Sequence, residues 1–411
     1  MIARLEAGLD ASAEVIGGKA VGLVRLLRLG LAVPDGFVVG TANCREYLAT
    51  GRRPEGLDEA AAVLGGGAGS AGGGAGSAGG GAVSVRSGAA VSMPGMMSTL
   101  LDVRPPLGDA VAAVFESWNT PRAITYRRLH DIADEAGTAV IVQAMVYGDR
   151  DGRSGSGVAF SRDPNTGDPG PYGEFLPGRR GDAVVAGEER TLPVGELASR
   201  LPDVWASLRA ALERVERHYR DVCHVEFTVE SGRLWLLQVR PGGVAGHAAA
   251  RVAVDLAEEG LITRAEAVAR VDLDRLPRVP RLPAEVPPLA RGLGASPGVA
   301  TGRVATTADA AVRMTGPVIL VRPTTSPLDL HGLAAAAGVV TARGGPASHA
   351  AVVARSMGKP AVVGAPLEAL AEGTVITVDG STGVVAAGEH PPRIPGADPA
   401  ETRLRAWATG L

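Results

Sequence analysis

Apolar and polar positions change period twice within the first 41 residues. In EVIGGKAVGLVRLLRLGLAVPDGFVVGT, residues 14–41, a glycine turn precedes apolar positions near helical spacing, followed by Pro34-Asp35-Gly36 and a short β-rich run. The pattern predicts a helix leading into a sheet. Alternating and β-branched runs recur at Val140–Val146, Gly157–Ser161, His224–Val229 and Leu234–Val239, each bounded by Gly, Asp or Pro, and read as strands. With helices expected at about 109–129 and 196–220, residues 1–240 form a mixed α/β (α+β) domain. Residues 247–270 read as two short helices around GLIT, and five prolines in Leu276–Pro288 predict a stiff extended arm, so 241–290 is a linker. A second compact α/β unit spans about 291–388: GVATGRV, VILVR, GVVTA, AVVGA and TVITVDG are strands and HAAVVARSMG is a helix. The remainder, 389–411, is a Pro-rich tail with a helix from Pro399.

The 17 residues Gly65–Gly81 repeat GGGAGSA twice and begin it a third time. They have no apolar side chain larger than Ala to bury and are expected to form a flexible tether, with an r.m.s. span on the order of 20–25 Å. A strand, VSVRS, resumes at once, so the tether is a loop and not a domain boundary.

Composition narrows the function classes. A net charge of -3 and no basic stretch argue against nucleic acid and anionic membrane as partners. Cys44 and Cys223 lie far apart with no CxxC spacing, so neither a disulfide framework nor a structural zinc site is indicated, and a reducing cytoplasm is the expected compartment. The N-terminus lacks the layout of a signal peptide, and no segment approaches a membrane span. Only two of the 41 basic residues are lysines, Lys19 and Lys359, which marks both for a specific role.

The densest chemistry is in TARGGPASHAAVVARSMG, residues 341–358: a strand, an Arg-Gly-Gly turn, Ser348 as N-cap, and His349 opening an apolar helix. A helix N-terminus presents unpaired N–H groups and positive potential, which favours a phosphate and keeps an imidazole neutral and nucleophilic. Arg343 can pair with phosphoryl oxygens, while Gly344 and Gly345 let backbone amides approach. A capped helix with an incidental His in its first turn gives the same local pattern.

This block closely resembles the phosphohistidine motif TxGGxxSHAA of the phosphoenolpyruvate (PEP)-utilising enzymes, and LGASPGVATGRV, VILVRPTTSPLDL and DGSTG flank it as they do there. The resemblance implies that His349 is the phosphoryl acceptor of a swivelling domain, with Arg343 and Ser348 beside it. The regulatory threonine common two positions before that histidine is replaced by Ala347. Five further segments resemble, in order, the ATP-grasp-like domain of pyruvate phosphate dikinases: GGKAVGLVRLLRLGLAVPDGF, VSVRSGAAVSMPGMMSTLLD, SWNTPRAITYR, VQAMVYGDRDGRSGSGVAFSRDPNTGDPGPYGEFL and CHVEFTVESGRLWLLQVRPG.

By that resemblance Lys19, Arg86 and Arg240 bind ATP phosphates, Gly155 and Gly157 belong to a loop, residues 148–157, that folds over them, and Glu226 and Gln238 hold Mg²⁺ and nucleotide. Glu174 is either a further acidic contact or a solvated loop residue. No GxxxxGK[ST] is present, so the chain is not a P-loop protein. One departure stands out. The family has Asp two residues before that Glu, whereas this chain has His224, a poor Mg²⁺ ligand.

About ten residues after Leu101-Asp102 replace a long helical subdomain of the family, and the chain stops where dikinases continue into a barrel that binds pyruvate and PEP. The expected function is ATP-dependent phosphorylation of His349, with ATP going to AMP, inorganic phosphate as a possible co-substrate, and a separate barrel protein supplying the final acceptor. The competing reading is a degenerate, non-catalytic relative acting as a regulatory or interaction protein.

Overall fold

The computed structural model describes residues 1–64, 81–93, 95–181, 191–244, 246–274, 276, 279–345, 348–367, 370–394, 396 and 398–410. The expected tether lies outside the described residues up to position 80, and so does Ala347. The chain divides into two compact units, Met1–Tyr147 with Thr228–Arg240, and Gly148–Phe227 with Pro241–Leu411. It adopts the mixed α/β class, with three sheets among the described residues. Among the described residues no helix is long and apolar enough to cross a membrane.

In the first unit, β1 (Ile2–Arg4), β2 (Gly36–Val39), β3 (Val83–Gly88), β4 (Thr99–Val103) and β5 (Ala139–Ala144) form an antiparallel sheet in the order β1-β2-β5-β3-β4. Strand periodicity puts Val140 and Val142 of the central strand into one core with Val39, Val85, Val111 and Phe115. The helix Ala13–Arg28 buries Ile16, Ala20, Leu23, Val24 and Leu26. It begins earlier than the expected glycine turn, and the turn proves to be a break inside it. Gly17 has φ 79, and a Cβ there would collide with the carbonyl of Gly88. The glycine pair is therefore needed for close approach of helix and strand, and not for entry into the helix.

A second sheet has β6 (Gly155–Arg162), β7 (Pro169–Pro177), β8 (Leu192–Pro193), β9 (Cys223–Glu230) and β10 (Arg233–Pro241) in the order β10-β9-β6-β7-β8. Within the second unit, Arg162 of β6 is buried and bonds Glu216 at 2.8 Å and Glu259 at 2.7 Å. The two carboxylates compensate the guanidinium charge that burial takes out of water.

The third sheet comprises β11 (Ala290–Arg291), β12 (Leu293–Ser296), β13 (Val299–Ala305), β14 (Val318–Arg322), β15 (Gly338–Thr341), β16 (Ala361–Val363), β17 (Val375–Asp379) and β18 (Val384–Ala387), ordered β11-β18-β17-β13-β14-β15-β16-β12. Strands β13 to β16 are parallel and the flanks antiparallel. Parallel strands are covered on both faces, so they read as unbroken apolar runs. Val318, Leu320, Val339 and Val363 enter one core, and Ile319, Val340 and Val362 enter the other. Helices Ala308–Arg313, Leu330–Ala335 and His349–Ser356 make the crossovers, which gathers the loops after β14 and β15 at the carboxyl edge.

The Pro-rich arm is not free-standing. Arg281 pairs with Arg393 as an isolated antiparallel bridge, the Leu282 N–H donates to Asp379 at 2.7 Å, and Leu282 and Val286 pack on Val384 and Ala386. The tail helix Pro399–Ala408 starts at Asp398, whose carboxylate accepts from the Ala400 N–H at 2.7 Å. Its Ala400 and Leu404 join a core with Val252 and Leu256 of the linker helix Gly246–Glu258 and with Ile262 of the turn that follows it.

Candidate functional site

The first unit holds Lys19, Arg86, Gln238 and Arg240. Arg86 is buried on β3, and its guanidinium donates to Gln143 Oε1 and, at 3.1 Å, to the Leu237 carbonyl, one residue before Gln238. The Gln143 amide in turn donates to the Pro34 carbonyl at 2.9 Å. Gln143, which carries no signal of its own along the chain, thus links Arg86 to the turn before β2. A Cβ on Gly88, two residues along β3 from Arg86, would lie 3.5 Å from the Lys19 Cβ. The two cations therefore sit on the same side of β3. Arg240 is close enough to Tyr126 to oppose the upward shift that burial gives its hydroxyl.

Gln238 Oε1 is buried without a hydrogen-bond partner among the described residues. An amide oxygen with unused acceptor capacity fits a hard cation or a nucleotide donor. Glu226, on the neighbouring strand β9, is partly exposed and belongs to the second unit. The ring of His224 stacks on Phe160 with centroids 4.5 Å apart and planes at 22°, which engages it in packing.

Two expectations in the second unit are corrected. Gly155 and Gly157 lie in strand β6 and not in a loop. Side chains there would run into the rings of Phe175 and Phe227 respectively, so both glycines make room for aromatic packing. Glu174 is neither exposed nor in a loop: it lies on β7, 3% exposed, and accepts from the Thr191 hydroxyl at 2.6 Å.

His349 opens the helix His349–Ser356 at the carboxyl edge of the parallel strands, as expected. Its Nδ1 lies 3.3 Å from Thr325 Oγ1 in the loop after β14. Burial pushes its pKa below the ordinary 6.5, against a smaller upward pull from Asp329. Asp329 accepts from the Ser326 N–H at 2.8 Å and lies 3.6 Å from Arg322. Thr325, Asp329 and Arg322 were present in VILVRPTTSPLDL, but only the third sheet's parallel order shows that this loop faces the histidine.

Ser348 takes the N-cap position, yet its hydroxyl makes no cap bond and is buried without a partner among the described residues, as is the Thr341 hydroxyl. Arg343 is exposed, with its backbone N–H on the Pro323 carbonyl at 3.0 Å. Gly344 has φ 96, which requires glycine, and a Cβ on Gly345 would overlap the carboxylate of Glu174. The carrier loop therefore lies directly on strand β7.

Comparison with known proteins identifies two family domains in the chain. Residues 70–192 and 199–260 match the pyruvate phosphate dikinase AMP/ATP-binding domain, and residues 314–383 match the mobile domain of PEP-utilising enzymes. Pyruvate, phosphate dikinase of Rhizobium meliloti is 45% identical over 69% of this chain and 35% of its own length. That of Clostridium symbiosum is 42% identical over 73% of this chain and 37% of its own. The chain thus spans about a third of these relatives. Alignment with the chloroplastic dikinase 1 of Arabidopsis thaliana, 32% identical over 97% of this chain, runs to 519 residues, more than the 411 present here. That relative therefore carries inserted segments. Two consecutive domain matches and these identities place the chain in the pyruvate phosphate dikinase family, as its nucleotide-binding and mobile-domain portion.

Proposed function

We propose that this chain takes a phosphoryl group from ATP onto His349 and holds it for an acceptor on another polypeptide. The observation that carries the reading is the setting of His349: a partly buried imidazole at a helix N-terminus, with Nδ1 against a threonine hydroxyl and a carboxylate behind it. If Nδ1–H donates to Thr325, the lone pair is on Nε2. Attack by Nε2 on the β-phosphorus forms the N–P bond as the P–O bond to departing AMP breaks, and inorganic phosphate then takes the γ-phosphoryl as diphosphate, which leaves the β-phosphoryl on the ring. Asp329 offsets the positive charge the ring gains, and the helix N-terminus, Arg343 and the unengaged Ser348 hydroxyl receive the phosphoryl oxygens.

On the nucleotide side, Lys19, Arg86 and Arg240 supply cationic groups for the ATP phosphates. Magnesium bound through Gln238 and Glu226 would neutralise part of the phosphate charge. Following the family pattern, ATP and inorganic phosphate would yield AMP and diphosphate. A separate barrel protein that binds pyruvate or PEP is the proposed partner.

The test is intact-mass analysis after incubation with Mg-ATP, with and without phosphate. An acid-labile phosphoryl adduct that disappears in His349→Ala is expected, and no adduct under any condition overturns the proposal.

A further inference from the structure

The helix that presents His349 has a second charged group six residues on, about 9 Å further along its axis. Arg355 retains some exposure, but its guanidinium is desolvated, which pushes its pKa down, and the Asp163 and Glu174 carboxylates oppose that shift. It donates to the Ala295 carbonyl of β12 at 2.7 Å and lies 6.0 Å from the centroid of the Phe160 ring on β6. That same ring is stacked on His224 of β9. One residue before Ala295, the Gly294 carbonyl accepts from the Asn165 side chain at 2.8 Å, and Asn165 belongs to the turn between β6 and β7. Successive carbonyls of β12 are thus tied to an arginine of the carrier helix and to a side chain of the second sheet.

From these contacts we propose that Arg355 is a positioning residue that seats the carrier helix on the second sheet, with Phe160 and His224 as its floor and the Ala295 carbonyl as its anchor. The proposal builds on the reading of His349 as phosphoryl carrier, but the seat itself stands on the contacts alone. It also gives His224 a place in this chain that an oxygen ligand could not fill. An aspartate lacks the flat ring that stacks on Phe160. A desolvated guanidinium is tolerated only while opposite charges and acceptors surround it, so lifting the helix off the sheet exchanges this enclosure for water. Removing the guanidinium leaves buried carboxylates without their cation.

The test uses the full chain with Arg355→Ala, Arg355→Met, which keeps volume without charge, and Arg355→Lys. Three quantities are measured: the rate of His349 labelling from Mg-ATP, the affinity for a non-hydrolysable ATP analogue, and amide exchange in residues 163–168 and 293–296. Labelling should fall by about tenfold or more in the Ala and Met variants, with analogue affinity within about twofold of wild type, partial recovery in Lys, and faster exchange in both segments. Wild-type labelling and unchanged exchange in the Met variant overturn the seat. If the wild type itself acquires no phosphoryl group, the carrier reading fails, and the exchange measurement still decides the role of Arg355.

Discussion

Gly345→Ala puts one methyl where the carboxylate of Glu174 already sits. Glu174 cannot retreat easily, since it is buried on β7 and bonded to Thr191. Overpacking a filled site costs about 1–3 kcal/mol, but where that cost appears depends on what can move. The carrier loop can lift from β7, whereas β7 is paired on both sides with β6 and β8. The penalty should therefore fall on the seating of the loop and leave the third sheet's own stability nearly untouched. A cost of that size reduces the seated population about 5- to 150-fold.

The assay is the initial rate of acid-labile labelling from Mg-ATP beside the thermal transition of the second unit. Slow labelling with a nearly unchanged transition is expected. Because the clash is with one carboxylate, Glu174→Ala should relieve it, and a double-mutant cycle should give a coupling of about 1 kcal/mol or more. Labelling of Gly345→Ala at the wild-type rate, or additive effects in the double mutant, would refute the reasoning.

Acidification should act through His349 itself. Its pKa lies below 6.5 because of burial, so labelling should stay level from about pH 8 to 6.5 and fall only below that, later still in Asp329→Asn. The same sign holds for stability, since below pH 6.5 the unfolded chain takes up this proton before the folded one does; a pH–rate profile that falls above 6.5 contradicts the assignment. Lys19→Ala and Arg86→Ala should each cut labelling roughly a hundredfold by removing phosphate-pairing charge. Arg86→Ala should also destabilise the first unit, by about 1–3 kcal/mol, because the Leu237 carbonyl and Gln143 lose their donor. Lys359→Met should lower stability by about 1–2 kcal/mol in a thermal melt, with labelling per folded molecule unchanged, since its amine bonds the Ala334 and Ala336 carbonyls at the end of Leu330–Ala335.

That contrast separates the two lysines. Scarcity marked both, but the structure gives Lys359 a helix-capping task, while Lys19 packs over Gly88 on the face of β3 that carries Arg86. Strands such as Val318–Arg322 and Gly338–Thr341 were legible because burial on both faces requires continuous β-branched residues. The helix from Pro399 was legible from its proline, and Asp398 caps it. Gly155 was read as loop because glycine carries no periodic signal: a strand whose side chains have been removed to admit the Phe175 and Phe227 rings shows its pattern only from Gly157 on, and the burial of Glu174 depends on the pairing of β7 with β6 and β8. Equally hidden were contacts between residues far apart in sequence, such as Thr325 with His349 and Arg355 with Phe160, because they depend on strand order and sheet packing. The motif located the histidine, but its chemical environment had to come from the fold.

The pairing of Arg281 with Arg393 bears on how the third sheet can travel. The chain enters that sheet after Arg281 and leaves it before Arg393, so the body hangs from two antiparallel straps joined side by side. A load on a single cord can spin and swing in any direction. One hung from a paired ribbon bends across the ribbon's flat face and resists twisting. Any excursion of His349 away from β7 should then follow an arc about one axis, returning to the same landing place. Cutting one strap would free the cargo to wander, at the expense of its aim.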